Sequence, residues 1–331
     1  MKVLLTGSAG FIGRAVTRRL GELAVDTRSF DRAVDIADDI GDLDRLRSAA
    51  RGCDTVVHLA AKVGLGVAVS DFDDYARQNS LGTAIVLRAA AEAGVPRVVY
   101  ASSMVVYGEG GYHCSVHGAV RPGPRRPADL DAGQYEPPCP RCGAALEPVL
   151  VTEDAPLDPR NAYAATKLHG EHLAGAWCRE TGGQVVALRF HNVYGPGLPL
   201  ETPYAGVAAL FVSRLAAGLP PLVFEDGRQR RDFVHVDDVA AAVAAATTVN
   251  LPEGLTALNI GSGRITTVGE MAAAIATAMH GPDPVTTGGY RLGDVRHVTA
   301  DSSRARDLLG WRPERSLEDG VRDLIAAPVG S

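Results

Sequence analysis

Lys2-Val3-Leu4-Leu5-Thr6-Gly7-Ser8-Ala9-Gly10-Phe11-Ile12-Gly13 opens the chain with a short apolar run, a glycine turn and the start of a helical pattern that continues through Leu20. Lys2 to Thr6 reads as a buried strand. The glycines follow as Gly-x-x-Gly-x-x-Gly and leave bare backbone where strand passes to helix. A strand, a glycine turn and a helix in that order let a pyrophosphate approach the main-chain amides of a helix N-terminus. Gly7, Gly10, Phe11, Ile12 and Gly13 are therefore candidate dinucleotide contacts. A second strand, Val25 to Phe30, ends at Asp31. An acid about 20 residues past such a turn holds the adenosine ribose hydroxyls of NAD. Arg32 follows and would favour the phosphate of NADP; the acid ranks NAD first.

Working outward, Asp54 to Leu59 reads as a strand running into Ala60-Ala61-Lys62, and a helix is expected over Asp71–Ala93, carrying Gln78-Asn79. Pro96 to Ala101 is the next strand and ends in Ser102-Ser103. Strands alternating with helices predict an α/β fold with a doubly wound parallel sheet of the Rossmann type. Its ligands bind beyond the strand C-termini, where the glycines, Lys62 and Ser103 all fall. Later segments include a strand Gln184–Phe190 leading into His191-Asn192-Val193-Tyr194-Gly195-Pro196, a helix Ala205–Ala217, a strand Leu222–Phe224, a strand and turn Leu258–Gly263, and a helix capped by Thr267. Residues 1–180 are expected to form the dinucleotide-binding domain. Residues 181–331 are expected to complete the sheet and build a smaller substrate lobe.

Tyr163-Ala-Ala-Thr-Lys167 places a phenol and an amine one helical turn apart on one face. Asn161 can cap that helix, and Pro159 marks its start. A cation close to a phenol favours the phenolate, so Tyr163 is expected to act as a general acid–base with a lowered pKa.

Residues 108–150 differ from their surroundings. Seven prolines lie between Pro122 and Pro148, and apolar periodicity is lost. Cys114-x-x-His117 and Cys139-x-x-Cys142 supply three thiols and one imidazole in two knuckles, each followed by a glycine, Gly118 or Gly143. That ligand set at that spacing predicts a zinc-ribbon-like insert with a structural zinc. His113 is an alternative to His117, and Cys53 and Cys178 read as core thiols.

Composition excludes other classes. The chain has 331 residues and a net charge of −6, so no basic field favours nucleic acid. No apolar run reaches the length of a membrane span, and the N-terminal run is too short for a signal peptide core. Five cysteines are an odd number without a secretion signal. They point to reduced thiols or metal ligands and a cytoplasmic location.

Taken together, Gly7-x-x-Gly10-x-x-Gly13, Ser102-Ser103 with Val106-Tyr107-Gly108, Tyr163-x-x-x-Lys167, Asn192-Val-Tyr-Gly-Pro and Arg231-Asp-Phe-Val-His-Val-Asp-Asp resemble the extended short-chain dehydrogenase/reductases. Within these they resemble the nucleotide-sugar epimerase/dehydratase branch. The resemblance covers nearly the whole chain outside the insert. It implies a bound NAD, a nucleoside-diphosphate sugar substrate and a homodimer built on a four-helix contact. Tyr163 is then the base, Lys167 the lysine that tunes it and binds ribose, and Ser103 the hydroxyl that steadies the sugar oxygen. Asp31, Asp42, Leu43, Lys62 and Asn79 join the glycines at the dinucleotide, and Asn192, Arg231, Arg291 and Asp294 hold the substrate's diphosphate and nucleoside. Dehydratases of the branch carry an Asp-Glu pair after the serine or threonine. Met104 and Val105 stand there in this chain, which favours 4-epimerisation over elimination of water. The insert is similar to that of dTDP-L-rhamnose 4-epimerases. A one-way NADPH-dependent 4-ketoreductase and a non-catalytic dinucleotide sensor are the alternatives. His191 departs from the aromatic residue or glutamine expected at its position.

Overall fold

The computed structural model describes residues 1–64, 68–200 and 206–326. Six strands form a central sheet: β1 Lys2–Thr6, β2 Asp26–Phe30, β3 Thr55–His58, β4 Arg97–Ser103, β5 Gln184–Phe190 and β6 Gly254–Ile260. The order across the sheet is β6-β5-β4-β3-β1-β2, and every pairing is parallel. Parallel pairing needs crossovers, which cover both faces with helices, so the strands are buried on both sides. The pleat separates the two cores. Val3 and Leu5 pack with Val16, Leu20 and the helix Val236–Thr248, while Leu4 packs with Leu46, Val86 and Trp177 on the other face.

The sixth strand begins four residues before the predicted one and ends at Ile260. Its first half, Gly-Leu-Thr-Ala, has little apolar pattern, and Leu255 is exposed; register with β5 holds it in the sheet. Thr267 caps Val268–Ala278 as predicted, in a reciprocal capping box with Glu270. The helix predicted over Ala205–Ala217 runs Val207–Ala216; Ala205 lies outside the described residues. That helix packs with Met271 and Ile275 into a separate C-terminal core.

The predicted helix Asp71–Ala93 is interrupted. Phe72–Tyr75 and Gly82–Glu92 are α-helical, and Ala76–Leu81 between them is a π turn. Such a widened turn re-aims side chains and commonly marks functional positions. The proline-rich insert has order of its own: Gly111–Cys114 pairs antiparallel with both Gly118–Val120 and Glu147–Val149. Gly118 and Gly143, the residues after each knuckle's second ligand, have φ of +69° and +74°. This left-handed conformation is one that glycine takes without steric cost.

Candidate active site

A cavity of about 720 Å³ opens beyond the C-terminal ends of β1, β3 and β4. It sits at the crevice between β1 and β3, where the winding of the sheet reverses. Gly7, Gly10, Phe11, Ile12 and Gly13 form one wall. A Cβ added to Gly7 would stand 2.6 Å from the Ala60 nitrogen, and one on Gly13 would stand 2.0 Å from the Gly7 oxygen. Neither position accepts a side chain, and the bare cradle they leave at the start of the Phe11–Glu22 helix suits a pyrophosphate. Asp31 also lines the cavity, and its carboxylate accepts from the Ala9 and Ala33 amides, both at 2.9 Å. Arg32 reaches the rim but is paired with Asp39 at 3.2 Å.

Three of the expected dinucleotide contacts stand outside the lining of the cavity. Asp42 and Leu43 do not line the cavity; Asp39 and Ile40 do. Asp42 is the N-cap of the helix Leu43–Ala50, its carboxylate accepting from the Arg45 amide, and Leu43 packs against the core beneath. Asn79 is also absent from the lining. It is buried, accepts from the Lys62 amide at 2.8 Å, and donates to the Lys62 carbonyl and to Thr166 Oγ1, both at 3.0 Å. Asn79 thus ties the end of β3 to the helix that carries Tyr163. Lys62 itself lines the cavity and pairs with Asp74.

Tyr163 and Lys167 come from the first turns of the helix Ala162–Thr181, whose N-cap Asn161 accepts from the Ala164 amide at 2.8 Å. Both line the cavity. Lys167 Nζ donates to the Ala101 carbonyl at 2.8 Å and lies 5.8 Å from the centre of the Tyr163 ring. Burial draws Lys167 down to about 8. Burial pushes Tyr163 up to about 12, opposed by the Ser103 hydroxyl, which favours the phenolate. In the protein by itself, desolvation therefore outweighs the lowering expected from the lysine. Ser103 ends β4, pairs in register with Phe190 and caps the turn Met104–Tyr107.

Behind these residues a buried ion pair joins β5 to the tyrosine helix. Arg189 donates to Glu171 at 3.0 and 2.7 Å, and Ser102 also donates to Glu171. Next to it, His191 is buried, with neither ring nitrogen in a hydrogen bond among the described residues. Burial pulls it down to about 3, so the imidazole is neutral. The Asn192 side-chain oxygen is likewise buried without a partner among the described residues.

The expected substrate residues gather on the C-terminal side, outside the lining of the cavity. Arg231 donates to the carbonyls of Arg230, Val295 and Arg296, and Arg291 lies over the Phe224 ring at 5.3 Å. Asp294 is half-buried, and burial pushes its carboxyl above the usual range. In the insert, one ligand atom from each of Cys114, His117, Cys139 and Cys142 lies within 4.8 Å of the others. His113 is exposed and outside that group.

The model of the NAD dependent epimerase/dehydratase family matches residues 3–127 and 142–261. The chain belongs to that family. It is 37% identical to the dTDP-L-rhamnose 4-epimerase of Burkholderia thailandensis, over 98% of this chain and 93% of the relative. It is 33% identical to a UDP-glucose 4-epimerase of Mycolicibacterium smegmatis, over 98% and 97%. Among solved structures, MoeE5 in complex with UDP-glucuronic acid and NAD superposes with a TM-score of 0.78 at 30% identity, covering 98% of each chain. The UDP-glucose 4-epimerase of Thermotoga maritima with UDP-glucose gives 0.79 at 26% identity, covering 98% of this chain and 97% of that one. Among the described residues, no helix is long and apolar enough to cross a membrane.

Proposed function

We propose that the protein epimerises a nucleoside-diphosphate sugar at C4 with NAD as the resident cofactor. The observation that carries this reading is the phenol and amine of Tyr163 and Lys167 on the wall of the glycine-cradled cavity, with the Ser103 hydroxyl favouring the phenolate. The two residues after Ser103, Met104 and Val105, have no acid to assist loss of water. When bound, NAD supplies a hydride acceptor that also returns the hydride. The protein's residues do the rest. Tyr163 takes the proton of the C4 hydroxyl and gives it back, Ser103 steadies the oxygen as it becomes a ketone, and Lys167 adds positive charge beside the phenol. Inversion follows when the 4-keto sugar turns within the site and presents its other face. The relative at 37% identity supports a dTDP sugar of the rhamnose type.

The test is to incubate purified protein with dTDP-, UDP- and GDP-sugars, read the C4 configuration by NMR, and identify the retained cofactor by mass spectrometry after denaturation. Inversion without net cofactor consumption, and NAD in the protein, are expected. NADP retention with stoichiometric consumption of NADPH would replace this reading with the ketoreductase. Asp31, facing the cavity, is the reason to expect NAD, since its carboxylate repels a ribose phosphate.

The same reading includes a structural zinc on Cys114, His117, Cys139 and Cys142. Four protein ligands complete a tetrahedral shell and leave no open position for chemistry. It also includes a homodimer through the helices Gly82–Glu92 and Ala162–Thr181, which pack together and lie beside the exposed Phe72 and Leu81. Light scattering at micromolar protein is expected to give twice the mass of the chain, and a monomer mass would refute the dimer.

A further inference from the structure

Glu225 lies far from the catalytic trio in sequence and has an unusual backbone. Three non-glycine residues among those described have φ in the left-handed region, Ala24, Glu225 and His280, and Glu225 alone of them is buried. A side chain makes that conformation unfavourable, so something around it must hold it there. Its carboxylate joins two arginines whose side chains are buried. Oε1 accepts from Arg125, in the insert, at 2.8 Å, and Oε2 accepts from Arg296 at 2.8 Å. Its amide donates to the Gly289 carbonyl at 2.7 Å.

What these arginines hold is the stretch 291–297, which has neither helix nor strand of its own. Arg125 donates to the Asp294 carbonyl at 2.6 Å, and Arg231 donates to the carbonyls of Val295 at 2.7 Å and Arg296 at 2.9 Å. Three successive carbonyls are thus satisfied by guanidinium groups. From the insert side, Glu109 accepts from the Arg296 amide at 2.9 Å. Glu136 pairs with the Arg296 guanidinium at 2.6 Å and with His297 at 2.9 Å. Tyr135 donates to the Gly288 carbonyl at 3.0 Å. Arg291 and Asp294, the candidate nucleotide contacts, therefore sit on a segment whose shape is set by side chains of the insert and by Glu225.

We propose that the insert is a structural half of the substrate site. On this account Glu225, Arg125 and Glu136 are positioning residues that clamp the 291–297 segment for a nucleoside diphosphate. The inference rests on the nucleotide-sugar reading given above. It predicts a split: the clamp governs nucleotide affinity, while NAD and the Ser103–Tyr163–Lys167 chemistry lie outside it.

The test uses full-length protein with its resident cofactor and metal, and the probes are dTDP and UDP in calorimetry. Glu225→Gln removes the charge and keeps the shape. Glu136→Gln is the milder change, since the Glu136 side chain is half exposed and its loss leaves the fold's core untouched. Both variants are expected to bind the preferred nucleotide about tenfold and about threefold more weakly, respectively, and to raise KM in parallel with little change in kcat. Retained NAD should match the unmodified protein. Nucleotide should also protect the insert from protease in the unmodified protein and protect it less in the variants. Unchanged affinity in both variants, where the unmodified protein binds, would overturn the clamp alone. An unmodified protein that binds neither dTDP nor UDP would overturn both the clamp and the nucleotide-sugar reading.

Discussion

Tyr163→Phe is expected to fold, retain NAD and lose about 10²- to 10⁴-fold in turnover, the range that a positioned acid–base group contributes. That factor corresponds to about 3–5 kcal/mol of transition-state stabilisation. The fold should survive because the substitution removes only the phenolic oxygen and leaves the ring against Tyr75, 6.2 Å away centre to centre. The turnover should not. Lys167 donates to the Ala101 carbonyl, and burial has drawn it down to about 8, so it has no geometry from which to replace the phenol at a sugar hydroxyl. Ser103 has a hydroxyl but no basicity at neutral pH. Initial rates with the preferred sugar, set beside NAD content and the thermal midpoint, decide the matter. A variant retaining more than a tenth of the native rate would sink the acid–base assignment.

The fold was legible because its signals are local. Strand Lys2–Thr6 and the glycine turn fix the first crossover, and the apolar runs at Thr55–His58 and Arg97–Ser103 can bury both faces only inside a parallel sheet. The cap at Asn161 placed the Tyr163 helix to the residue. Other elements were illegible for physical reasons. The π turn at Ala76–Leu81 has no period of its own and is held by Asn79 reaching back to Lys62 and Thr166. The run Asp38-Asp39-Ile40-Gly41-Asp42 offers three acids within five residues, and only the turn geometry decides which face the cavity and which cap the next helix.

The site divides in the same way. Residues that act through a motif, such as Gly7, Gly13, Tyr163 and Lys167, declare themselves by spacing. Residues that act across the fold do not. Glu225 and Arg125 are 100 positions apart, and nothing in either neighbourhood announces a pair. The one available signal was a glutamate rather than a glycine before Asp226-Gly227, at a turn whose backbone proves left-handed. Titration was also hidden. A Tyr-x-x-x-Lys spacing supplies the cation but says nothing of the burial that pushes the phenol up to about 12.

Protein purified without chelator is expected to contain about one zinc per chain, and Cys139→Ser to lose most of it, with the insert opening to protease while NAD stays bound. The geometry is quantitative. Zinc–sulfur bonds of about 2.3 Å in a tetrahedron put ligand atoms about 3.8 Å apart. Cys114 and Cys142 sulfurs are 3.8 Å apart, and His117 Nδ1 lies 3.7 Å from Cys114 and 3.6 Å from Cys139. Hydrogen bonds between thiols are too weak to gather four such groups against their mutual crowding. A metal in such a site contributes about 10–16 kcal/mol of apparent binding free energy. The insert has few buried apolar side chains of its own, Tyr112 and Leu130 among them, so metal and polar contacts carry its order. The knuckles flank Arg125 and Glu136 in the chain, so a lost metal should release the grip on the 291–297 segment as well. Cys139→Ser is therefore expected to weaken nucleotide binding by at least as much as Glu136→Gln does. The glycine-walled cavity shares no residue with the insert, and its NAD should be retained. Elemental analysis well below one zinc per chain in the native protein would remove the site. So would a Cys139→Ser variant with unchanged metal content and unchanged protease resistance between residues 108 and 150.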